Sequence, residues 1–511
     1  MVSMMKDLLA ILKQNTQEKN IVEDTKLFQY RIEDIKSRMK FWESKQNDYM
    51  NFCKNRKIFP DSTGLEVSNS VKNIMLNILQ EFDLDRPSSS RVEDYSHYIT
   101  RQNFRIRNLL LLLGQFYSHL EWSSSSYNQA MVPNFFDLRK QSGKIVNYDR
   151  WESFMIADME NELTKLYELS SHFSLLLTSS GMAAYATINN FIIRHLSHND
   201  NIIIPVPFYH EAEALLSAIP GIKLLRLNTT DIDQIISSID HKTKAIYLTP
   251  ITNDEALRFV DIDLLIQKIN LINPEIFIVV DGTMSGGLIR PEKLIDSNSC
   301  SSILYFESGN KYQQFEDTAM KGIIIVPRSL MEEFVSIRRE LGTILYDRVA
   351  VSLPYSICFE EFKLKMRRFA YNALFISNFI NTHPDLQAFC RINYPLNPSH
   401  PDYNLAQKYL IEQFGGVVTL SFYESSYYQK DILDQFVDNL IDQCQVKSIP
   451  FSKGDSYGFS IPRIHIGASR SDKPFLRLCV GNRSIAEVKV FASCLVEALQ
   501  KRIIPASKIP L

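Results

Sequence analysis

The sequence predicts an α/β protein with a mostly parallel sheet, a smaller α+β region on its C-terminal side and a helical extension on its N-terminal side. Three observations carry that prediction. Short apolar runs recur after Asn147, helical stretches separate them, and the chain before them shows helix-like periodicity instead of strand-like alternation.

From about Leu8 to Leu120, polar, aromatic and aliphatic residues mix at helical spacing, with Val22–Phe52 and Ser68–Phe82 reading as amphipathic helices. Pro60–Gly64 and Asp85–Ser90 read as loops between helices. After a predicted helix around Ile156–Leu169 come the apolar runs Phe173–Leu177, Ile202–Pro205, Lys223–Leu227, Ala245–Leu248, Ile276–Val280, Ser302–Phe306 and Gly322–Val326. Such runs suit strands buried on both faces. Between them Ala183–Arg194, Glu211–Ser217, Ile232–Ile239 and Leu264–Ile269 are predicted helices. Ligands of a sheet wound this way lie beyond the carboxyl ends of its strands. A long amphipathic stretch, Glu360–Thr382, leads to the last region, where Val417–Phe422 and Phe475–Val480 read as strands and Asp431–Ile441 and Ile485–Ala498 as helices.

Composition narrows the class. The 511 residues carry 56 Lys and Arg against 58 Asp and Glu, a net charge of −2, with 22% charged and 45% hydrophobic residues. Neither a disordered charged chain nor a broadly basic nucleic-acid binder is built this way. The seven cysteines, at positions 53, 300, 358, 390, 444, 479 and 494, are odd in number and scattered without a metal-ligand spacing. A reducing, cytoplasmic setting without structural zinc is expected. Met1–Lys13 lacks the pattern of a secretory signal. Leu109–Leu113, the most lipid-like run, follows Arg105 and Arg107 and falls far short of the roughly 20 residues of a span.

Three stretches can carry chemistry, and each sits where a strand ends. Thr178-Ser179-Ser180-Gly181-Met182 opens a helix, where backbone amides hold a phosphate, although a plain helix cap reads the same. Asp281 ends the run Ile276–Val280 and precedes Gly282-Thr283, so it is either a turn former or a carboxylate for a cationic ring nitrogen. In Ser308-Gly309-Asn310-Lys311 the lysine is either a surface residue or an amine that forms a Schiff base with an aldehyde cofactor, with Lys321 as a nearby competitor. Their order along the chain is more informative than any one of them.

With these motifs in that order, residues from about 140 to 505 resemble the cystathionine synthase/lyase group of pyridoxal-phosphate enzymes, the Cys/Met metabolism family with the aspartate-aminotransferase-like fold (fold type I). The resemblance leaves the helical extension, 1–135, outside it and implies a large cofactor-binding domain over 136–370 and a small domain over 371–511. It also implies roles. Ser180, Gly181 and Met182 match the family's phosphate loop, Tyr209 the ring that stacks on the pyridine, and Asp281 with Thr283 the partner of the pyridinium nitrogen. Ser308 becomes a phosphate ligand and Lys311, followed by Tyr312, the cofactor-bound lysine. Tyr148 and Arg150 match side chains that reach the phosphate of a neighbouring subunit, and Arg477 the arginine that grips the substrate α-carboxylate in a two-pronged contact.

The implied chemistry is elimination or replacement at Cβ or Cγ of a sulfur-containing or O-activated amino acid. Lys311 would carry the proton, and Tyr209 would assist as acid or base if cofactor charges lower its pKa. Lyase and synthase readings both stand, as do transamination, racemisation or decarboxylation and a non-catalytic descendant that binds or builds. The partners implied are a small amino acid, for replacement a thiol, and further copies of the chain in a homodimer or homotetramer, with no nucleic acid and no membrane. Departures concentrate on the substrate side. Trp151–Phe154 replaces an Asn-Pro-Thr element, His210-Glu211 follows Tyr209 in place of Gly-Gly, Thr249–Asp254 is a reduced Ser-Pro-x-Asn-Pro element, Asn310 stands for a threonine and the loop near the carboxylate clamp, Ser456–Ser460, matches only faintly, which points to an uncommon substrate. His465 and Arg470 are read in a polar loop before the Arg477 strand, either as substrate contacts or, as expected, as solvated loop residues, and Arg367 and Arg368 are expected to face solvent or another subunit.

Overall fold

The computed structural model describes residues 62–84, 154–286, 303–313, 320–345, 359–410, 415–468 and 473–501, with scattered positions between 29 and 60. Tyr148, Arg150, Arg470 and the predicted loop at 85–90 lie outside the described residues. The chain divides into two compact units, Met1–Met159 with Leu345–Leu364, and Glu160–Ile344 with Lys365–Leu511. In the first, helix α1 (Ser62–Leu84) spaces Val71, Met75 and Leu79 four residues apart, and all three are buried, as is Cys53. That spacing lines one helix face. Gln46 donates to Asn69 at 3.2 Å and Lys72 pairs with Glu43 at 2.9 Å. Helix α1 begins inside the predicted loop Pro60–Gly64. Proline and serine serve helix starts as readily as turns, so this sequence fits both.

Helix α2 (Phe154–Leu166) precedes the strands. The second unit then runs β1 (Phe173–Thr178), α3 (Gly181–Arg194), β2 (Asn201–Ile204), α4 (His210–Ser217), β3 (Lys223–Arg226), α5 (Ile232–Ser237), β4 (Thr243–Leu248), α6 (Ile262–Ile272), β5 (Phe277–Asp281), β6 (Ile303–Ser308), β7 (Gly322–Pro327) and α7 (Met331–Leu341). Among the described residues these strands form one seven-stranded sheet in the order β1-β7-β6-β5-β4-β2-β3. All neighbours pair in parallel except β7, which is antiparallel to both β1 and β6. Leu176, Ile203, Ile246, Val279, Leu304 and Ile324 are fully buried. Each such side chain contributes about 1.5–3 kcal/mol by leaving water.

The reversed strand β7 shapes the site. Its first residue, Gly322, pairs with Thr178 at the end of β1 and with Ser308 at the end of β6. A Cβ at Gly322 would overlap the Ser180 carbonyl oxygen and Thr178 Oγ1, so only glycine lets those two strand ends close around it. Arg338 on α7 fixes the end of β1 from below: it pairs with Glu160 at 2.5 Å and donates to the Leu177 carbonyl at 2.9 Å, while Leu177 N donates to Glu160 at 2.7 Å.

Helix α8 (Phe359–Asn381) leads into β8 (Cys390–Asn393), α9 (Tyr403–Leu410), β9 (Val417–Phe422), α10 (Lys430–Val446), β10 (Ser452–Lys453), β11 (Arg463–Ala468), β12 (Pro474–Cys479) and α11 (Ile485–Gln500). The strands form a second sheet, β10-β11-β12-β9-β8, and α10 packs against α11. Two expectations are corrected here. Arg368 is buried, at 2% exposure, instead of facing solvent. His465 lies in strand β11, not in a loop, because Arg463-Ile464-His465-Ile466 alternates polar and apolar residues as a half-buried strand does. Among the described residues no helix is long and apolar enough to cross a membrane.

Candidate active site

The carboxyl ends of β1, β5 and β6 converge on one cluster. Ser180 caps α3, its Oγ accepting from Ala183 N at 3.0 Å. The next amides, of Gly181 and Met182, open the helix, where N–H groups have no intrahelical acceptor. A Cβ on Gly181 would lie 2.5 Å from Ser308 Cβ, so its absence lets the helix start approach the β6 end. The Met182 side chain packs against the sheet core, which leaves its backbone for the site. Thr283 Oγ1 accepts from Ser308 N at 3.0 Å, and Thr283 N donates to Asp281 Oδ1 at 2.9 Å. The strand-end carboxylate, the threonine and the serine are therefore one connected group. Ser308 also bonds Asn310, the residue standing where the family pattern has threonine.

Lys311 stands on the loop after β6, its amide donating to the Ser308 carbonyl at 3.2 Å. Its Nζ donates to Ser456 Oγ at 2.7 Å and lies 5.5 Å from the Tyr457 ring. Arg477 on β12 lies 5.4 Å from the same ring. Arg477 donates to Asn253 Oδ1 at 2.8 Å and to the Asp455 carbonyl at 2.6 Å; among the described residues these engage two of its five N–H donors. Tyr209 sits at the start of α4 beside His210, 38% exposed, within the electrostatic reach of Asp455 and Arg477.

Ser180, Gly181, Asp281, Thr283, Ser308, Lys311, Tyr209 and Arg477 thus share one neighbourhood. Lys321 does not compete with Lys311 there. It is fully buried with its stem against Gly309, and its charged neighbours are Glu307 and Lys365. Asn253, Ser456 and Tyr457, from the Thr249–Asp254 and Ser456–Ser460 stretches, join the site, and so does Asp455, which no motif marks. Asn253 is held by its loop, where Arg258 makes paired bonds to Asp402 at 2.5 and 2.8 Å.

The electrostatics suit a reactive amine. Burial, then the charges of Arg477 and Arg463, push Lys311 down to about 8, against the pull of Asp281 and Asp455. Burial pushes the Asp281 carboxyl up, opposed by its bonds from Thr283 and by Lys311. A carboxylate under that strain gains from a cation bound beside it. Burial and Glu211 push the Tyr209 phenol up to about 12, which favours a ring surface over a base in the protein by itself.

A glycine-opened helix start, a strand-end carboxylate, a depressed lysine and an arginine beside it, on a sheet with one reversed strand, are the arrangement of the aspartate-aminotransferase-like class of pyridoxal-phosphate enzymes. The model of the Cys/Met metabolism PLP-dependent enzymes matches residues 119–459, and the chain belongs to that family. It is 26% identical over 415 residues to the bifunctional enzyme flvA of Aspergillus flavus, covering 80% of this chain and 49% of that protein. It is 24% identical over 268 residues to an L-methionine gamma-lyase of Fusobacterium nucleatum subsp. nucleatum, covering 51% and 62%. The chain therefore spans about half to six-tenths of these relatives. The crystal structure of cystathionine gamma-lyase from Lactobacillus plantarum complexed with L-serine superposes with a TM-score of 0.58 at 20% identity, over 74% of this chain and 93% of that one, which shows the shared fold.

Family membership implies pyridoxal phosphate as cofactor and Cβ/Cγ elimination or replacement as the general chemistry. The residues fit that group, since the missing Cβ of Gly181 opens the phosphate cradle and Lys311 supplies the amine. One pH dependence follows. Only a neutral amine attacks an aldehyde, and with an amine pKa of about 8 the neutral fraction rises about tenfold per pH unit before levelling. Capture of added pyridoxal phosphate by cofactor-free protein, followed by stopped-flow absorbance, is expected to rise to about pH 8 and then flatten. Arg477→Met removes a depressing charge and is expected to move the inflection upward.

Proposed function

We propose that this chain eliminates or replaces the side-chain substituent of a sulfur-containing or O-activated amino acid, with Lys311 as proton carrier. The observation that carries the reading is the meeting of Lys311 and Arg477 over Tyr457, an amine and a carboxylate grip on one ring. Pyridoxal phosphate, when bound, supplies the electron sink for charge left at Cα. Ser180, Ser308 and the amides of Gly181 and Met182 would hold its phosphate, and Asp281, oriented by Thr283, its ring nitrogen.

The remaining steps belong to the side chains. Arg477 takes the α-carboxylate and thereby fixes which Cα bond faces Lys311. Neutral Lys311 Nζ removes the Cα proton and returns it where the leaving group or the product needs it. Tyr209 covers the ring face, and its proton becomes available only with cations close by. Tyr148 and Arg150 are proposed to reach the phosphate of a second copy, in a homodimer or homotetramer with shared sites. The polar pair His210-Glu211 supports a substrate with a polar distal part more than a purely aliphatic one.

The test is product analysis of the purified full chain with pyridoxal phosphate and a panel of cystathionine, methionine, cysteine and O-activated homoserines. A 2-oxo acid with ammonia is expected for elimination, and a new thioether on adding a thiol for replacement. Formation only of a transaminated, decarboxylated or racemised product across the panel overturns the reading.

A further inference from the structure

His465 is absent from the roles above, yet its position is specific. Antiparallel pairing sets His465 of β11 directly opposite Arg477 of β12, so both side chains leave the same face of the sheet. Ile464, on the opposite face, is 2% exposed. His465 Nδ1 lies 2.5 Å from Asp455 Oδ1. The Asp455 carbonyl is the acceptor of Arg477 Nη2, and the next residue, Ser456, is the acceptor of Lys311 Nζ. Gly458 closes the same turn in the left-handed region (φ +79°), where a Cβ would lie 2.5 Å from the Lys311 carbonyl carbon. A single turn, 454–458, therefore touches both working side chains of the proposed site.

Besides Arg477 and Lys311, the Tyr457 ring, 5.8 Å from that of Tyr312, and backbone bonds at either end anchor the turn. Gly454 N donates to the Ile464 carbonyl at 2.9 Å and Gly458 N to Cys479 Sγ at 3.3 Å. Between these, the Asp455 carbonyl is held by Arg477 of β12, and its side chain, 84% exposed, is held by the imidazole of β11. We infer that His465 is a positioning residue: by holding the Asp455 carboxylate it fixes the turn that presents Ser456 to Lys311 and a backbone carbonyl to Arg477. Burial and the Arg477 charge keep the imidazole below its ordinary range, with Asp455 pulling the other way. The geometry of the link is that of Nδ1–H donating to the Asp455 carboxylate, which does not require the ring to carry a charge. It follows that an amide of similar reach can replace it.

This inference rests on the proposed function for its kinetic consequence, and the experiment separates the two. In full-length protein, His465→Ala is expected to raise KM for the amino-acid substrate about tenfold while kcat changes less than about threefold, since a displaced Arg477 loses carboxylate binding first. His465→Asn, whose amide stands in for Nδ1–H, is expected to recover KM to within about twofold. A readout without cofactor is hydrogen exchange of the cofactor-free chain, where peptides covering 454–460 are expected to exchange at least about threefold faster in His465→Ala than in wild type or His465→Asn. Unchanged exchange in His465→Ala overturns the inference. So does a His465→Asn variant as impaired as His465→Ala, because the ring itself would then be required. Wild-type protein that makes no product from the panel removes the functional reading instead, and the exchange comparison still decides the role of His465.

Discussion

Replacing Lys311 by alanine is expected to abolish the visible band near roughly 420 nm that a lysine-bound pyridoxal phosphate shows, and to lower turnover by about 10³-fold or more, the upper range of a lost proton carrier. Three features concentrate the effect on this amine. Its bond to Ser456 and its place over Tyr457 orient it, burial and then the Arg477 and Arg463 charges push it down to about 8, and Lys321, which burial pushes down equally, is packed against Gly309 among a different set of charges. The fold is expected to survive, because removing a buried amine with a depressed pKa also removes a desolvation cost. Circular dichroism alongside the absorption spectrum checks this. A Lys311→Ala protein that keeps the band and the turnover would pass the role to another amine and dismantle the site as described.

Much of the large sheet was legible because strands covered on both faces have little choice but to be apolar: Ile202–Ile204, Ile278–Val280 and Ile323–Val326 announce themselves. The reversal of β7 was not legible. It depends on Gly322 fitting between two strand ends remote in sequence, which no local pattern encodes. In the small sheet, Cys390–Asn393 is short and Arg463-Ile464-His465-Ile466 is polar at every other position, so neither forms the continuous apolar run that marks a buried strand. Period-two counting would have recovered β11 and set His465 beside Arg477.

The site divides in the same way. The motifs at strand ends, around Ser180, Asp281 and Ser308, are local and could be read from residue order. Asn253 and the 454–458 turn come from loops about 200 positions apart and meet at Arg477; the resemblance marks Thr249–Asp254 and, faintly, Ser456–Ser460 as parts of the substrate side, but local pattern alone does not encode the bonds that join them there. The burial of Arg368 shows the same limit, since a basic residue on an amphipathic helix looks solvated until its neighbours are known.

Asp281→Asn isolates charge from shape. The amide keeps the volume and can still accept from Thr283 N, now at 2.9 Å from Oδ1, so the connection through Thr283 to Ser308 is expected to persist and the protein to fold. What disappears is a negative charge that pulls Lys311 upward and that, in the proposed function, holds a cationic ring nitrogen. Turnover is expected to fall about 10²–10³-fold, the scale on which losing one preorganised electrostatic partner acts. The sign of a second effect is set by the same charge. Without Asp281 the positive field of Arg477 and Arg463 is less opposed, so the Lys311 pKa moves below about 8 and the inflection of cofactor capture shifts to lower pH. The two readouts answer different questions. A lower inflection with unchanged turnover would place Asp281 beside the amine but not beside the reacting system, whereas a fall in turnover with an unshifted inflection would contradict the electrostatic coupling of Asp281 to Lys311.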